Sequence, residues 1–144
     1  MGQSSADGAL FFPDVENLVA AFLGTRGELD GVYVGVALPT GFDGGSRAVV
    51  VNRLGGGFRS DDFLDDVIAL VDAYGGDKTS AHAVANAVRG VLPLITVAGH
   101  AGGVVVSEVE ESQGPCWSPD RRNGGASRYV MRYRFVVPVR PVSA

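Results

Sequence analysis

Residues 128–137 alternate without interruption. Tyr129, Met131, Tyr133, Phe135 and Val137 fall on one side of an extended chain, and Arg128, Val130, Arg132, Arg134 and Val136 fall on the other. A strand of this length, apolar on one side and arginine-bearing on the other, needs a sheet with one covered face and one wet face. That requirement rules out an all-helical chain and frames the reading of every other segment.

Residues 1–10 are mostly small and polar and read as a flexible tail ahead of a domain at 11–144. Pro13 occupies a favoured helix start. Val15, Leu18, Val19, Phe22 and Leu23 then recur at helical spacing before Gly24, which predicts a helix over 13–23. Strands are expected at 32–36 and 47–53, separated by the loop 39–45, with Gly55, Gly56 and Gly57 closing the second. The segment from Phe63 to Tyr74 admits two readings, because Phe63, Leu64, Val67, Ile68, Val71 and Tyr74 would also line a helix. The strand reading places Val67, Ala69, Val71 and Ala73 on one face and leaves Gly75 to Lys78 as a turn; it is the one adopted. A second helix follows, capped by Thr79 or Ser80, with Ala81, Val84, Ala85, Val88 and Leu92 inward and Pro93 at its end. A strand at 104–110, a long surface loop at 112–125 and the alternating strand complete the chain.

This order predicts an α+β single domain: a largely antiparallel or mixed sheet of about five strands flanked by two helices. With 144 residues, 46% hydrophobic and 19% charged, the chain has the apolar content to build such a core. Its net charge of −4 argues against general phosphate binding. Cys116 is the only cysteine, which excludes an intrachain disulfide and points to a reducing compartment. No apolar run is long enough for a membrane span.

Candidate chemistry thins out on inspection. Gly75-Gly76-Asp77-Lys78-Thr79 imitates a phosphate loop, but Asp77 stands where a glycine is required and would repel a phosphate, so a turn with a helix cap fits better. His82 and His100 lack a metal-ligand spacing, and Cys116 has no activating neighbour in sequence. Asp61, Asp62, Asp65 and Asp66 form the densest acidic cluster, but their spacing does not match a calcium loop. No catalytic, cofactor or metal residue is assigned, and no hydrolase, transferase or metal-dependent activity is expected. Trp117, with Arg121 and Arg122 in the same loop, has the residue types of an interface centre; folding back to cap the sheet is the equal alternative.

Several phrases, in this order and spacing, resemble the tail terminators of long-tailed phages that infect actinobacteria, proteins also described as minor tail or head-to-tail connector proteins. They are Phe12-Pro13-Asp14-Val15-Glu16, the run from Arg47 to Gly57, Val71-Asp72-Ala73-Tyr74, the Ala-rich helix to Leu92, and Gly114-Pro115-Cys116-Trp117 before Arg128 to Tyr133. The resemblance implies a non-enzymatic virion protein, assembled in the host cytoplasm into a homohexameric ring on the head-proximal end of the tail. Such a ring stops tube polymerisation and offers a docking surface to the neck. Its implied partners are other copies of itself, the tail tube protein and a neck or head-closure protein, with no membrane and no sequence-specific nucleic acid, although DNA passes through the ring. Two alternatives stay open: a head-closure or other neck connector, and a small α+β ligand-binding domain or enzyme.

The arginine face suggests how a ring would close. Arg128, Arg132 and Arg134 on one subunit are expected to meet Asp61, Asp62, Asp65 and Asp66 of the next.

Overall fold

The computed structural model describes residues 8–142. The expected flexible tail lies outside the described residues as far as Asp7. Its last residue is ordered, because Leu10–Phe11 (β1) pairs antiparallel with Arg140–Pro141 (β7) in a small second sheet.

The main sheet has five strands. They are Tyr33–Gly35 (β2), Ala48–Arg59 (β3), Leu64–Gly75 (β4), Glu108–Trp117 (β5) and Ser127–Pro138 (β6), in the spatial order β2-β3-β4-β6-β5. Only β2 and β3 run parallel; the other pairs are antiparallel. Two helices, Val15–Gly24 (α1) and Lys78–Val91 (α2), pack on one face. The α+β architecture read from the alternation is therefore the observed one.

The core lies between that face and the helices. Val51, Val71 and Met131 share one cross-strand row, and Val67 and Phe135 share another; all five are buried beneath α1 and α2. Each such side chain contributes roughly 1.5–3 kcal/mol of burial. Helix α1 covers β2 and β3, whereas α2 covers β4 and β6.

Both helices are capped by an aspartate. The first begins at Val15 and not at the expected Pro13, and Asp14 caps it, its carboxylate accepting from Asn17 N at 3.2 Å. Asp77, rather than Thr79 or Ser80, caps α2 by accepting from Ser80 N at 2.7 Å. A carboxylate before the first turn outcompetes a hydroxyl because it is also favoured by the partial positive charge of the helix end. The Asp77 that disqualified a phosphate loop is thus the residue that starts the helix.

The ambiguous segment is a strand from Leu64 onward, with Phe63 left in the preceding turn. With β3 on one side and β6 on the other, β4 finds main-chain partners along both edges, which outweighs the helical spacing of its apolar residues. Val67, Ala69, Val71 and Ala73 face the core as expected.

Two boundaries are corrected. Gly55, Gly56 and Gly57 do not close β3, which passes through a register shift between Arg53 and Gly55 and continues to Arg59. Gly56 has φ +95°, and a Cβ there would run into the Asp66 carbonyl oxygen, so this close crossing requires glycine. The strand expected at 104–110 starts only at Glu108, and residues 112–117 of the expected loop 112–125 are strand as well. Strand β5 is an edge strand with two register shifts, between Glu111 and Gln113 and between Gln113 and Cys116. An edge tolerates Pro115, whose missing N–H would break a central strand.

Candidate functional site

The two ends of the sheet carry different chemistry. At the end where β4 finishes and β6 begins, Asp72 on β4 and Arg128 on β6 point to the face away from the helices, as does Tyr74. The connection from β5 to β6 folds over them, held by the bridge between Asp120 and Ala126. Ala126 is buried there with Ala48, Val50 and Tyr74, and Leu38 and Phe42 pack against the group.

Asp120 anchors this cover. Its carboxylate accepts from Tyr74 Oη at 2.6 Å, Asn123 Nδ2 at 2.8 Å and Arg122 N at 3.2 Å. Burial pushes the Asp120 carboxyl up, but the hydrogen bonds from Tyr74 and Asn123, with the charge of Arg128, outweigh it and hold the group below the usual carboxylate range. Arg128 spends its Nε on Ser118 O at 2.8 Å, and its Nη1 lies 3.6 Å from Asp120 and 3.8 Å from Asp72. Tyr74 is pushed upward by burial and by its bond to Asp120.

Asp72 is the ill-satisfied member. Its Oδ1 is buried and has no hydrogen-bond partner among the described residues. Burial, only partly offset by Arg128, pushes its carboxyl up to about 6. Sequence reasoning missed this cluster because Asp72 and Tyr74 on one strand are joined by Asp120 and Arg128 from two other segments far along the chain. The spacing of Asp72 and Tyr74 on one face of a strand was the only local signal.

The opposite end is aromatic and acidic. Phe12, Phe58 and Phe63 stack edge to face, with centroids 5.1 and 6.1 Å apart. Phe12 and Phe63 are 47% and 48% exposed. Beside Phe12, Phe11 is 40% exposed and carries Arg140 over its ring. Phe63 has φ +52°, a left-handed turn conformation between β3 and β4. Asp61 and Asp62 stand exposed in the same turn.

The acidic cluster is divided by the sheet. Asp65 lies on the helix-covered face, where Arg53 Nη1 and Nη2 donate to its two oxygens at 2.9 and 3.0 Å. Asp66 lies on the other face and receives Arg134 Nε at 2.6 Å. Asp65, Asp66, Arg128 and Arg134, expected to pair between subunits, have partners inside the chain. Antiparallel neighbours bring opposite charges together across a sheet, which a linear reading of like charges on alternate residues could not show. Arg132 is exposed and forms no ion pair among the described residues; the same holds for Asp61, Arg121 and Arg122.

Trp117 is the last residue of β5 rather than part of a long loop. It packs on its cross-strand partner Tyr129 at 5.3 Å, with Lys78 Nζ 4.8 Å from the ring centre, and remains 38% exposed. Cys116 beside it is exposed. His100 Nε2 donates to Ile95 O at 2.9 Å, and His82 lies against Asn86 and Tyr129. Among the described residues, no three His, Cys, Asp or Glu side chains are grouped to hold a metal ion, and no helix is long and apolar enough to cross a membrane.

No protein-family model matches the chain, and no curated protein matches it.

Proposed function

We propose that this protein is a structural component of a phage particle, a tail terminator that caps the head-proximal end of the tail tube as a homohexameric ring. The reading rests on the order and spacing of the resembling phrases. The observation that supports it is the exposed aromatic end: three neighbouring phenylalanines, Phe11, Phe12 and Phe63, left at least two-fifths exposed. Large exposed aromatic side chains gathered at one end of a sheet suit an assembly face, where Phe12 and Phe63 meet through Phe58 and Phe11 lies under Arg140. Mechanism is then binding and occlusion, in which a ring seated on the last tube layer denies the next layer its docking surface. The same ring presents its far side to the neck, and a head-closure protein would share these features apart from tube binding. A polymerisation assay tests the reading: substoichiometric chain added to growing cognate tube protein stops elongation, whereas unchanged tube growth would refute it.

A second reading, a small ligand-binding domain or enzyme, is favoured by one observation, the buried and unsatisfied Asp72 beside Asp120, Tyr74 and Arg128. On that reading Asp72→Asn abolishes the activity; on the terminator reading it leaves tube capping intact.

A further inference from the structure

The turn between β3 and β4 and the hollow at the far end of the sheet are complementary. Ser60, Asp61, Asp62 and Phe63 are all exposed. Asp62 has only a 3.6 Å contact with Arg59 Nη1, and Asp61 has no ion pair among the described residues. The hollow, about 580 Å³, is lined by Ser118, Pro119, Asp120, Arg121, Arg122 and Arg128. Arg128 is already engaged with Ser118 and faces Asp72 and Asp120, so the cations there without an ion pair among the described residues are Arg121 and Arg122.

These two surfaces cannot meet within one molecule. Strand β4 runs from the turn to the hollow end, and at about 3.3 Å per residue its length separates them by roughly 35 Å. We propose that copies of this chain associate head to tail, the Asp61-Asp62-Phe63 turn of one seating against Arg121 and Arg122 of the next. The proposal rests on the ring reading above and names the surfaces that would build it. A contact between two different patches of one surface is heterologous, the kind that generates rings when its rotation closes. Phe63 supplies the apolar anchor, and the charge pairs set register and orientation, so association weakens as salt is raised.

Sedimentation velocity at low salt tests this with the wild-type chain, Asp61→Arg/Asp62→Arg, Arg121→Glu/Arg122→Glu, and an equimolar mixture of the two variants. The four side chains are exposed, and thermal melting by circular dichroism verifies that each variant is folded. The wild type is expected to associate, and each variant to do so about tenfold more weakly or worse. The mixture should recover, because the basic turn of one variant matches the acidic hollow of the other and the reverse pair also matches. A wild type that stays monomeric at high micromolar concentration, a folded variant that associates normally, or a mixture that fails to recover would each overturn the proposal. Tube capping measured on the same samples separates the two ideas. Variants that cap tubes with unchanged rings sink this interface and leave the terminator reading standing. Charge-dependent oligomers that never cap tubes do the reverse.

Discussion

Asp65 and Asp72 lie on the same strand, both largely shielded from water, and they could hardly be treated more differently. Asp65 points into the helix-covered side and is gripped by both nitrogens of the Arg53 fork, at 2.9 and 3.0 Å. The odd separation puts Asp72 on the other face, where, among the described residues, its nearest cation is 3.8 Å away and Oδ1 is orphaned. Burial alone therefore says little about what a carboxylate does. A satisfied buried pair ties two strands together, whereas an unsatisfied one is a store of unfavourable solvation that a proton can relieve.

The largest effect is expected at the satisfied site. Asp65→Ala leaves the Arg53 guanidinium, itself about a third exposed, without its fork partner and should cost about 1.5–3 kcal/mol in urea unfolding. A loss well under that range would mean the pair is no better than a surface contact.

At the unsatisfied site the sign reverses. Because burial pushes the folded Asp72 carboxyl up to about 6, ionisation is easier in the unfolded chain. Below about pH 4 both states are protonated and Asp72 costs nothing through ionisation; from there to about pH 6 it lowers stability, and above that its cost is constant. Asp72→Asn should therefore stabilise the protein at pH 7 by about 1–2 kcal/mol and remove that decline. Stability curves for the two proteins that run parallel from pH 4 to 7 would break the contrast.

Smaller effects follow at the surface. Trp117→Ala removes a half-exposed ring from its cross-strand partner and should cost about 0.5–1 kcal/mol of stability. If Trp117 also belongs to an interface, the same change should weaken assembly by more than about 1 kcal/mol, measured by concentration-dependent sedimentation. Arg132→Glu, at a position with no partner among the described residues, should move the unfolding free energy by less than about 0.5 kcal/mol. If it instead impairs assembly, Arg132 belongs to the subunit contact.

What could be read before the fold was known follows the range of each interaction. The alternation of Tyr129, Met131, Tyr133, Phe135 and Val137 is local, and it fixed the layer arrangement. The choice of strand for 63–74 agreed with the fold apart from Phe63, although its cause, pairing along both edges, is long-range. Gly114-Pro115-Cys116-Trp117 misled because turn residues are permitted on a bulged edge strand. The in-chain partners of the arginine face, Asp66 for Arg134 and Asp72 with Asp120 for Arg128, were not legible because they are cross-strand neighbours or come from a distant turn. The Asp72 cluster and the Phe12, Phe58 and Phe63 stack were hidden for the same reason.

The central claim is that this chain closes the end of a tube. Negative-stain microscopy of the purified protein mixed with its cognate tail tube protein tests it most directly. The account predicts rings seated at one end of each tube, and tubes that stop growing once capped. Bare tube ends with the protein dispersed, or the protein bound along tube sides, would contradict it.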